Sequence, residues 1–233
     1  MVDATKQDSL FQDTGENTVI DVPNELQLSG WIKGNGNSVY ITSTTKPQKL
    51  HVQIHGEGNT IKIGRKALLN GLRIEIGSAK YRSDHTTLTI GDDFSIASRG
   101  RFLLPNSGNR VEIGHRCMFS NRITIRGGEY PHLIFDRGTG HYVDISDGIF
   151  IGDHVWVGEG VYINKSVTIP DDCIVGAMSV LTKRYSESHC VIAGNPARVV
   201  KENVVWMRNT SELEPESIER KSFEAARRRT TER

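Results

Sequence analysis

The sequence predicts an all-β fold, a parallel β-helix built from hexapeptide repeats, and two observations lead to this prediction. Branched apolar residues recur at every sixth position: Ile151, Val157, Ile163, Ile169, Val175 and Leu181. Residues suited to tight corners follow them in phase: Gly152, Gly158, Asn164, Pro170 and Gly176. A period of six fits neither a strand nor a helix, but it is typical of a solenoid with three hexads to the coil.

A second set of smaller residues precedes each branched residue by two positions and is expected to share the narrow interior: Val155, Val161, Val167, Cys173 and Ser179. Each coil of about 18 residues would stack on the next at roughly the 4.8 Å spacing of neighbouring strands.

Weaker repeats extend the prediction towards the N-terminus. They begin at Ile41, Ile63, Ile90, Ile113 and Ile151. The intervals between them are 22, 27, 23 and 38 residues, so each coil carries an insert, and only the last insert, of about 20 residues, is long. Long loops without structure of their own tend to be functional. Residues of about 127–148 are therefore where we expect chemistry.

We expect one domain over residues 31–198, since a solenoid grows by adding coils and needs no second core. Residues 1–30 are expected to flank or cap the first coil. Residues 199–233 are expected to hold a short helix, over about 199–209, that closes the last coil, followed by a charged tail. The basic run Arg227, Arg228 and Arg229 allows a nucleic-acid or membrane tail, but interspersed acids favour a solvated helix.

Composition excludes some classes of function. The chain has 29 basic and 28 acidic side chains, so its net charge of +1 provides no overall field for nucleic acid or an anionic membrane. Three cysteines, Cys117, Cys173 and Cys190, indicate small core residues in a reducing compartment and not a disulfide framework. No stretch resembles a signal peptide or a membrane span, so a cytoplasmic location is expected.

Three motifs point to a family. The long insert contains His132, Ile134, Phe135 and Asp136, and the next coil opens with residues 151–156, which end in His154, Val155 and Trp156. The third motif spans residues 176–198. Together they resemble the hexapeptide-repeat, left-handed β-helix acyltransferases, and most closely the capsular polysaccharide and polysialic acid O-acetyltransferases. The resemblance is strong over 113–201, fair over 58–112 and absent at both ends.

The resemblance implies transfer of an acetyl group from acetyl-coenzyme A to a hydroxyl of a sugar or a surface polysaccharide. It nominates His132 as the general base and Trp156 as a wall of the acceptor or acetyl pocket. A neutral imidazole, with a reference pKa near 6.5, can take the hydroxyl proton during attack on the thioester. His141 is the second candidate for the base and a possible substrate contact, and His154 is a further candidate substrate contact.

The resemblance also implies a homotrimer with sites between subunits. The pantetheine arm of coenzyme A would run along the coils through backbone groups near Gly158, Gly176, Ala177 and Ser179. The adenine nucleotide would be surrounded by polar and basic residues: Thr182, Lys183, Asn195, Pro196, Arg198 and Lys201. No metal is expected.

Two departures from the family pattern concern the acceptor and the base. Tyr130 and Asp144 stand where many relatives have aspartate and asparagine. A carboxylate that orients the imidazole of His132 is expected to be Glu129, Asp136 or Asp144, and the sequence does not choose among them.

Other functions remain open. A γ-type carbonic anhydrase would need histidines five residues apart, whereas the histidine spacings here are 9 and 13. A non-catalytic sugar-binding scaffold would not need the insert or the coenzyme motif. An acetyltransferase acting on a small non-sugar acceptor such as serine is the alternative within the enzyme class.

Overall fold

The computed structural model describes residues 11–16 and 18–231, which form the predicted left-handed parallel β-helix with three faces. Each face is one sheet, to which successive coils add a strand. Among the described residues, every pairing between these strands is parallel except the one between the last two.

The faces are numbered in the order in which a coil passes through them. Face one contains β1 (Phe11–Asp13), β3 (Leu26–Lys33), β5 (Gln48–His55), β7 (Leu72–Ile76), β10 (Arg101–Leu104), β13 (Thr124–Arg126), β16 (Tyr162–Ile163) and β19 (Val180–Leu181). Face two contains β2 (Val19–Asp21), β4 (Ser38–Ile41), β6 (Thr60–Ile63), β8 (Thr87–Ile90), β11 (Arg110–Ile113), β14 (Ile149–Ile151) and β17 (Thr168–Ile169). Face three contains β9 (Ser95–Ser98), β12 (Met118–Asn121), β15 (Trp156–Val157), β18 (Ile174–Val175), β20 (Val191–Gly194) and β21 (Ala197–Lys201).

The repeats form continuous columns inside the rod. On face two, consecutive coils place one isoleucine directly beside the next, and each is at most 3% exposed: Ile41, Ile63, Ile90, Ile113, Ile151 and Ile169. The smaller residues two positions earlier in each hexad are also buried. The predicted interior and coil register are therefore confirmed.

The corners explain why the period is six. The backbone is left-handed at residues six apart, with positive φ at His154, Gly160, Ser166, Asp172 and Met178. Each lies two positions after one of the predicted corner residues and directly before a buried interior residue. Four of the five are not glycine, so this sharp bend is not marked in the sequence.

Buried asparagines connect the coils at the corner between faces one and two. Asn59 donates through Nδ2 to Oδ1 of Asn37 at 3.0 Å and to the carbonyl of Ser83 at 2.9 Å. Two coils further on, Asn109 donates to the carbonyl of Asn106 within its own coil. Since buried amide groups need partners, the contacts of Asn59 hold three successive coils at a fixed spacing.

Two expectations about the ends are wrong. The boundary expected at residue 31 falls inside β3, and β1 already pairs in parallel with β3, so the rod begins earlier. No helix forms over 199–209, and its first residues belong to β21 instead. This strand turns back antiparallel to β20, because the backbone amide and carbonyl groups at the edge of β20 are open to pairing. Residues 1–10 of the predicted flanking segment lie outside the described residues.

After β21 the chain runs along the corner between faces two and three as a C-terminal strap, residues 202–209. The Val204 N–H donates to the carbonyl of His189, the Trp206 indole N–H to that of His154, and Arg208 to that of Asp93. A short 3₁₀ turn (Thr210–Glu212) leads to helix α1 (Ile218–Thr231). The C-terminal helix thus lies in the charged tail. Within the described residues no helix has the length and apolarity to cross a membrane.

Candidate active site

The long insert leaves the rod between β13 and β14, so it projects from the corner between faces one and two as residues 127–148. Its tip is a small antiparallel hairpin in which Phe135 bridges to Tyr142. The Val143 N–H donates to the Ile134 carbonyl at 2.9 Å, and the Asp136 N–H to the His141 carbonyl at 2.8 Å. The insert therefore has internal structure.

Asp144 fixes the base of the insert. Its buried carboxylate accepts hydrogen bonds from the Glu129 N–H at 2.8 Å and from Nδ2 of Asn106 at 2.9 Å. It also accepts from Nζ of Lys165 in the following coil and from the Tyr142 hydroxyl at 3.3 Å. One side chain thereby joins both ends of the insert to the coils on either side.

The pKa of Asp144 reflects this network. Burial raises the pKa, but the hydrogen bonds from Lys165, Asn106 and the Glu129 N–H outweigh burial and hold it below its ordinary value. The carboxylate is therefore charged at neutral pH, and its charge is balanced by the lysine.

None of the three candidate carboxylates contacts the imidazole of His132 in this chain. Asp144 is engaged by Asn106, Lys165 and the Glu129 N–H at the base of the insert, and Glu129 pairs with Arg126 at 2.7 Å. Asp136 accepts from the N–H groups of Thr139 and Gly138 and from the Thr139 hydroxyl, and the Thr139 contacts come first in lowering its pKa. The expected orienting carboxylate is thus not found beside His132.

His132 lies at the exposed start of the hairpin. Its backbone N–H donates to the Glu129 carbonyl at 3.0 Å, and its ring has no hydrogen-bond or ion-pair partner among the described residues. His141, on the other arm of the hairpin, is also exposed. Both rings are accessible to a ligand or to a second protein chain.

Trp156 lies on face three, opposite the corner that carries the insert. It begins β15, is 36% exposed, and its indole N–H points to Oγ of Ser120 at 3.4 Å. In a three-sided rod, face three and the corner between faces one and two lie on opposite sides. A single chain therefore does not bring His132 and Trp156 together.

His154 does have a carboxylate partner. Its Nδ1 lies 2.8 Å from Oδ1 of Asp172, and its ring stacks on Trp206 at 4.1 Å between centroids. Trp206 in turn lies 6.0 Å from Trp156. Sequence reasoning missed this role of Trp206, and the only signal was the short apolar run of residues 204–207 ahead of a charged tail.

The predicted contacts of the pantetheine arm lie mostly along one edge of the rod, between faces three and one. Gly158 and Gly176 occupy the same place in successive coils, and Ala177 follows. A side chain at Gly158 would meet the backbone of Ala177 at 2.7 Å, so only glycine fits there. Ser179 differs, because its buried hydroxyl donates to the Gly176 carbonyl and accepts from the Gly194 N–H.

The predicted nucleotide contacts are exposed but more dispersed. Asn195 and Pro196 form the tip of the β20–β21 hairpin, with Arg198 beside them, whereas Lys201 pairs with Val191 at the far end. Thr182 and Lys183 follow β19 at another corner. Lys183 lies over the Tyr185 ring at 5.4 Å, and the Tyr185 hydroxyl donates to the Ala197 carbonyl, which links this corner to the hairpin.

Several other histidines connect coils. The Nδ1 atom of His51 lies 3.0 Å from the Ser29 hydroxyl, that of His55 2.6 Å from the Ser78 carbonyl, and that of His115 accepts from the Asp92 N–H at 2.9 Å. In residues 11–16 and 18–231, no group of three or more His, Cys, Asp and Glu side chains is arranged to hold a metal ion.

Comparison with known proteins places this architecture in a family. Residues 148–183 match the family model described as bacterial transferase hexapeptide, six repeats. The chain is similar to a polysialic acid O-acetyltransferase of Neisseria meningitidis, with 32% identity over 85% of this chain and 90% of the relative.

Two solved structures are also similar. The polysialic acid O-acetyltransferase OatWY shares 28% identity at a TM-score of 0.61, covering 91% of this chain and 96% of that one. The polysialic acid specific acetyltransferase NeuO shares 25% identity at a TM-score of 0.64, covering 93% and 90%. The chain therefore belongs to the polysialic acid O-acetyltransferase family of hexapeptide-repeat acyltransferases.

Proposed function

We propose that this protein transfers the acetyl group of acetyl-coenzyme A to a hydroxyl of polysialic acid or a similar capsular polysaccharide, with His132 as general base. The observation that carries the proposal is the 32% identity, over 85% of the chain, to an enzyme named for that reaction. The exposed imidazole on the insert supplies a group able to perform the first step.

The chemistry needs one proton acceptor. The imidazole of His132 takes the proton of the acceptor hydroxyl while the hydroxyl oxygen attacks the thioester carbonyl. The tetrahedral intermediate then releases coenzyme A as the new ester forms. The proton returns to the sulfur of the leaving group. General base catalysis contributes about 100- to 10,000-fold in rate, which corresponds to roughly 3 to 5 kcal/mol of barrier.

We propose that the complete site lies between subunits of a homotrimer. His132 and Trp156 lie on opposite sides of one rod, so a shared site needs the insert of one chain and face three of another. The hairpin exposes apolar side chains, among them Leu133 and Phe135, which are 59% and 54% exposed. Contiguous exposed apolar surface is typical of a protein interface.

Acetyl-coenzyme A would lie along the edge of Gly158, Gly176 and Ala177, with its nucleotide near the β20–β21 hairpin. Arg198 and Lys183 are exposed there or close by and suit phosphate groups. His141 and His154 are proposed as acceptor contacts. The three unpaired thiols agree with the reducing cytoplasm as the location of the enzyme.

Incubation with acetyl-coenzyme A and polysialic acid, followed by mass analysis of the glycan, tests the proposal. The expected product gains one acetyl group per modified sugar and loses it on mild alkaline treatment, as an ester does. Serine, neutral dextran and an enzyme-free mixture are the controls. Acetylation of serine alone would assign a small acceptor, and binding of glycan without turnover would assign a scaffold; either result contradicts the proposal.

A further inference from the structure

A cavity of about 480 Å³ lies under the base of the long insert, at the corner between faces one and two. Its volume is within the range of about 300–1,000 Å³ typical of small-molecule sites. Tyr130 and Tyr142 of the insert form one side, and the segment from Pro105 to Asn109 forms the other. None of the residues predicted from the sequence to contact substrate or coenzyme lines this cavity.

The charged groups of the cavity are already balanced within the protein. Arg82 pairs with Glu57 at 2.9 Å and with Asp84 at 3.2 Å. Asp144 pairs with Lys165. A ligand there meets no uncompensated charge, so its chemistry must be neutral where it touches the walls.

The remaining polar groups are mostly hydroxyls with capacity to spare. The Ser107 oxygen accepts from the Asp84 N–H and the Ser146 oxygen from the Gly148 N–H, which leaves both hydroxyl hydrogens available to donate. The Tyr130 ring packs edge-on against Tyr81 at 5.2 Å, which holds it at the cavity. Ile145, at the mouth, is 63% exposed and adds an apolar surface.

We infer that this cavity is a subsite for one sugar unit of the acceptor, bound through its hydroxyls and its apolar ring face and not through a carboxylate. Hydroxyl donors beside aromatic rings match a sugar, which has polar edges and a C–H face. Tyr130 lines the subsite and lies two residues before His132, so the subsite is at the base of the hairpin that carries the proposed general base. This inference rests on the proposed saccharide acceptor.

The variant that tests the subsite is Ile145→Trp, which fills the mouth of the cavity from an exposed position. Ile218→Trp is the matched control, because Ile218 is an isoleucine on the distant helix α1, 82% exposed. With polysialic acid as probe, Ile145→Trp should raise the KM for the glycan about tenfold and leave that for acetyl-coenzyme A unchanged. Tyr130→Phe should give a smaller increase in the same direction.

Ionic strength separates the two ways of binding a sialic acid unit. If hydroxyls and ring faces make the contact, the effect of Ile145→Trp on KM stays the same between low and high salt. If the difference in the KM for the glycan between the wild type and Ile145→Trp disappears at high salt, the cavity binds a carboxylate and the inference is wrong.

A binding measurement keeps this test independent of turnover. Saturation-transfer NMR with free sialic acid and with glucose as probes should give a signal with the wild-type protein and with Ile218→Trp, and a weaker one with Ile145→Trp. Equal signals in the three proteins would overturn the subsite even if acetyl transfer occurs. Failure of acetyl transfer with an intact, Ile145-dependent signal would instead count against the proposed reaction alone.

Discussion

The indole N–H of Trp206 donates to the carbonyl of His154 at 2.9 Å, while the two rings stack at 4.1 Å with only 10° between their planes. A residue from the C-terminal strap thereby covers a residue of the coil that carries Trp156. The strap is also attached through the Val204 N–H and the Arg208 side chain, but most of its side chains are exposed. Its attachment to the rod therefore depends largely on this pair.

Replacement of Trp206 by alanine is expected to release the strap without unfolding the rod. Hydrogen exchange of the amides of residues 202–209 should accelerate strongly, and the melting temperature should change little because the columns of the rod are unaffected. Trp206→Phe keeps the stacking and loses one hydrogen bond worth about 1 kcal/mol, so it should show an intermediate effect. Unchanged exchange in the alanine variant would contradict this role.

Replacement of the candidate base separates His132 from His154. His132→Ala should lower kcat by about 100- to 10,000-fold while calorimetry shows coenzyme A binding unchanged. His154→Asn should cost much less in kcat, because His154 is proposed to contact the acceptor and not to take its proton, and its ring is already held by Asp172 and Trp206. His141→Ala, at a proposed acceptor contact in the same hairpin, should raise the KM for the glycan and lower kcat far less than His132→Ala does. If His154→Asn gave the larger loss, the base would be His154 with Asp172 as its partner.

Asp144→Asn is expected to loosen the insert, because Lys165 loses its counterion while the hydrogen-bond geometry is roughly kept. We expect a loss of about 1–3 kcal/mol in stability and a drop in kcat larger than the change in the KM for acetyl-coenzyme A. Lys165→Met should have a similar effect, whereas Asp147→Asn, at an exposed ion pair with Arg184, should have little.

The pH dependence of this effect has a defined sign. The folded pKa of Asp144 lies below its unfolded value, so its contribution to stability is present above the unfolded pKa, about 3.9, and is lost as pH falls through the folded pKa. The stability gap between the wild type and Asp144→Asn should be constant near neutral pH and should narrow below about pH 4. A gap that widens in acid would contradict this role of the Asp144 carboxylate at the base of the insert.

Arg198→Ala and Lys183→Ala test the nucleotide contacts. Each should weaken binding of coenzyme A by about tenfold or more, since a hydrogen bond to a charged group is worth about 1.5–3 kcal/mol. Arg184→Ala is the matched control, because Arg184 adjoins Lys183 and pairs with Asp147 at 2.7 Å. Equal affinities for coenzyme A, measured by calorimetry in all these proteins, would place the nucleotide elsewhere.

The thiols are expected to be inert in the folded protein. Burial raises the pKa of Cys117 and of Cys173 to about 12, so almost no thiolate exists near neutral pH. A thiol reagent should therefore modify none of the three cysteines in the native state and all three after denaturation. Rapid modification of native Cys117 would show that its coil opens.

The interior of the rod was predictable because it is periodic. The columns through Ile113 and Ile151 follow from spacing alone, since any other register would turn apolar residues outward. The bounds of the insert followed from the interval of 38 residues between Ile113 and Ile151, which exceeds one 18-residue coil by about 20 residues. The rod before residue 31 was missed because Leu26 and Leu28 alternate as in any strand and show no clear period of six.

The details of the site were less predictable. Sequence nominated Glu129, Asp136 and Asp144 as partners of His132, and none of them contacts its ring. That Asp144 instead holds the base of the insert could not be predicted, since this role depends on contacts with Lys165 and Asn106 across the coils. The strap was mistaken for a helix because Val204, Val205 and Trp206 are apolar in a short run, which does not distinguish a helix from an extended segment. Neither the stack on His154 nor the cavity under the insert leaves a local pattern.

The column of isoleucines on face two has a consequence for how such a molecule tolerates change. Every coil presents to the next coil the same kind of surface that it packs against. The column of isoleucines ends where Tyr185 is buried in the last coil, and the stacking of parallel strands ends where β21 pairs antiparallel with β20. Removal of a whole 18-residue coil, such as residues 152–169, would leave the neighbours on either side compatible. Removal of a single residue would turn all later side chains of that strand inside out. Length can therefore evolve in whole turns, while the frame within a turn is fixed.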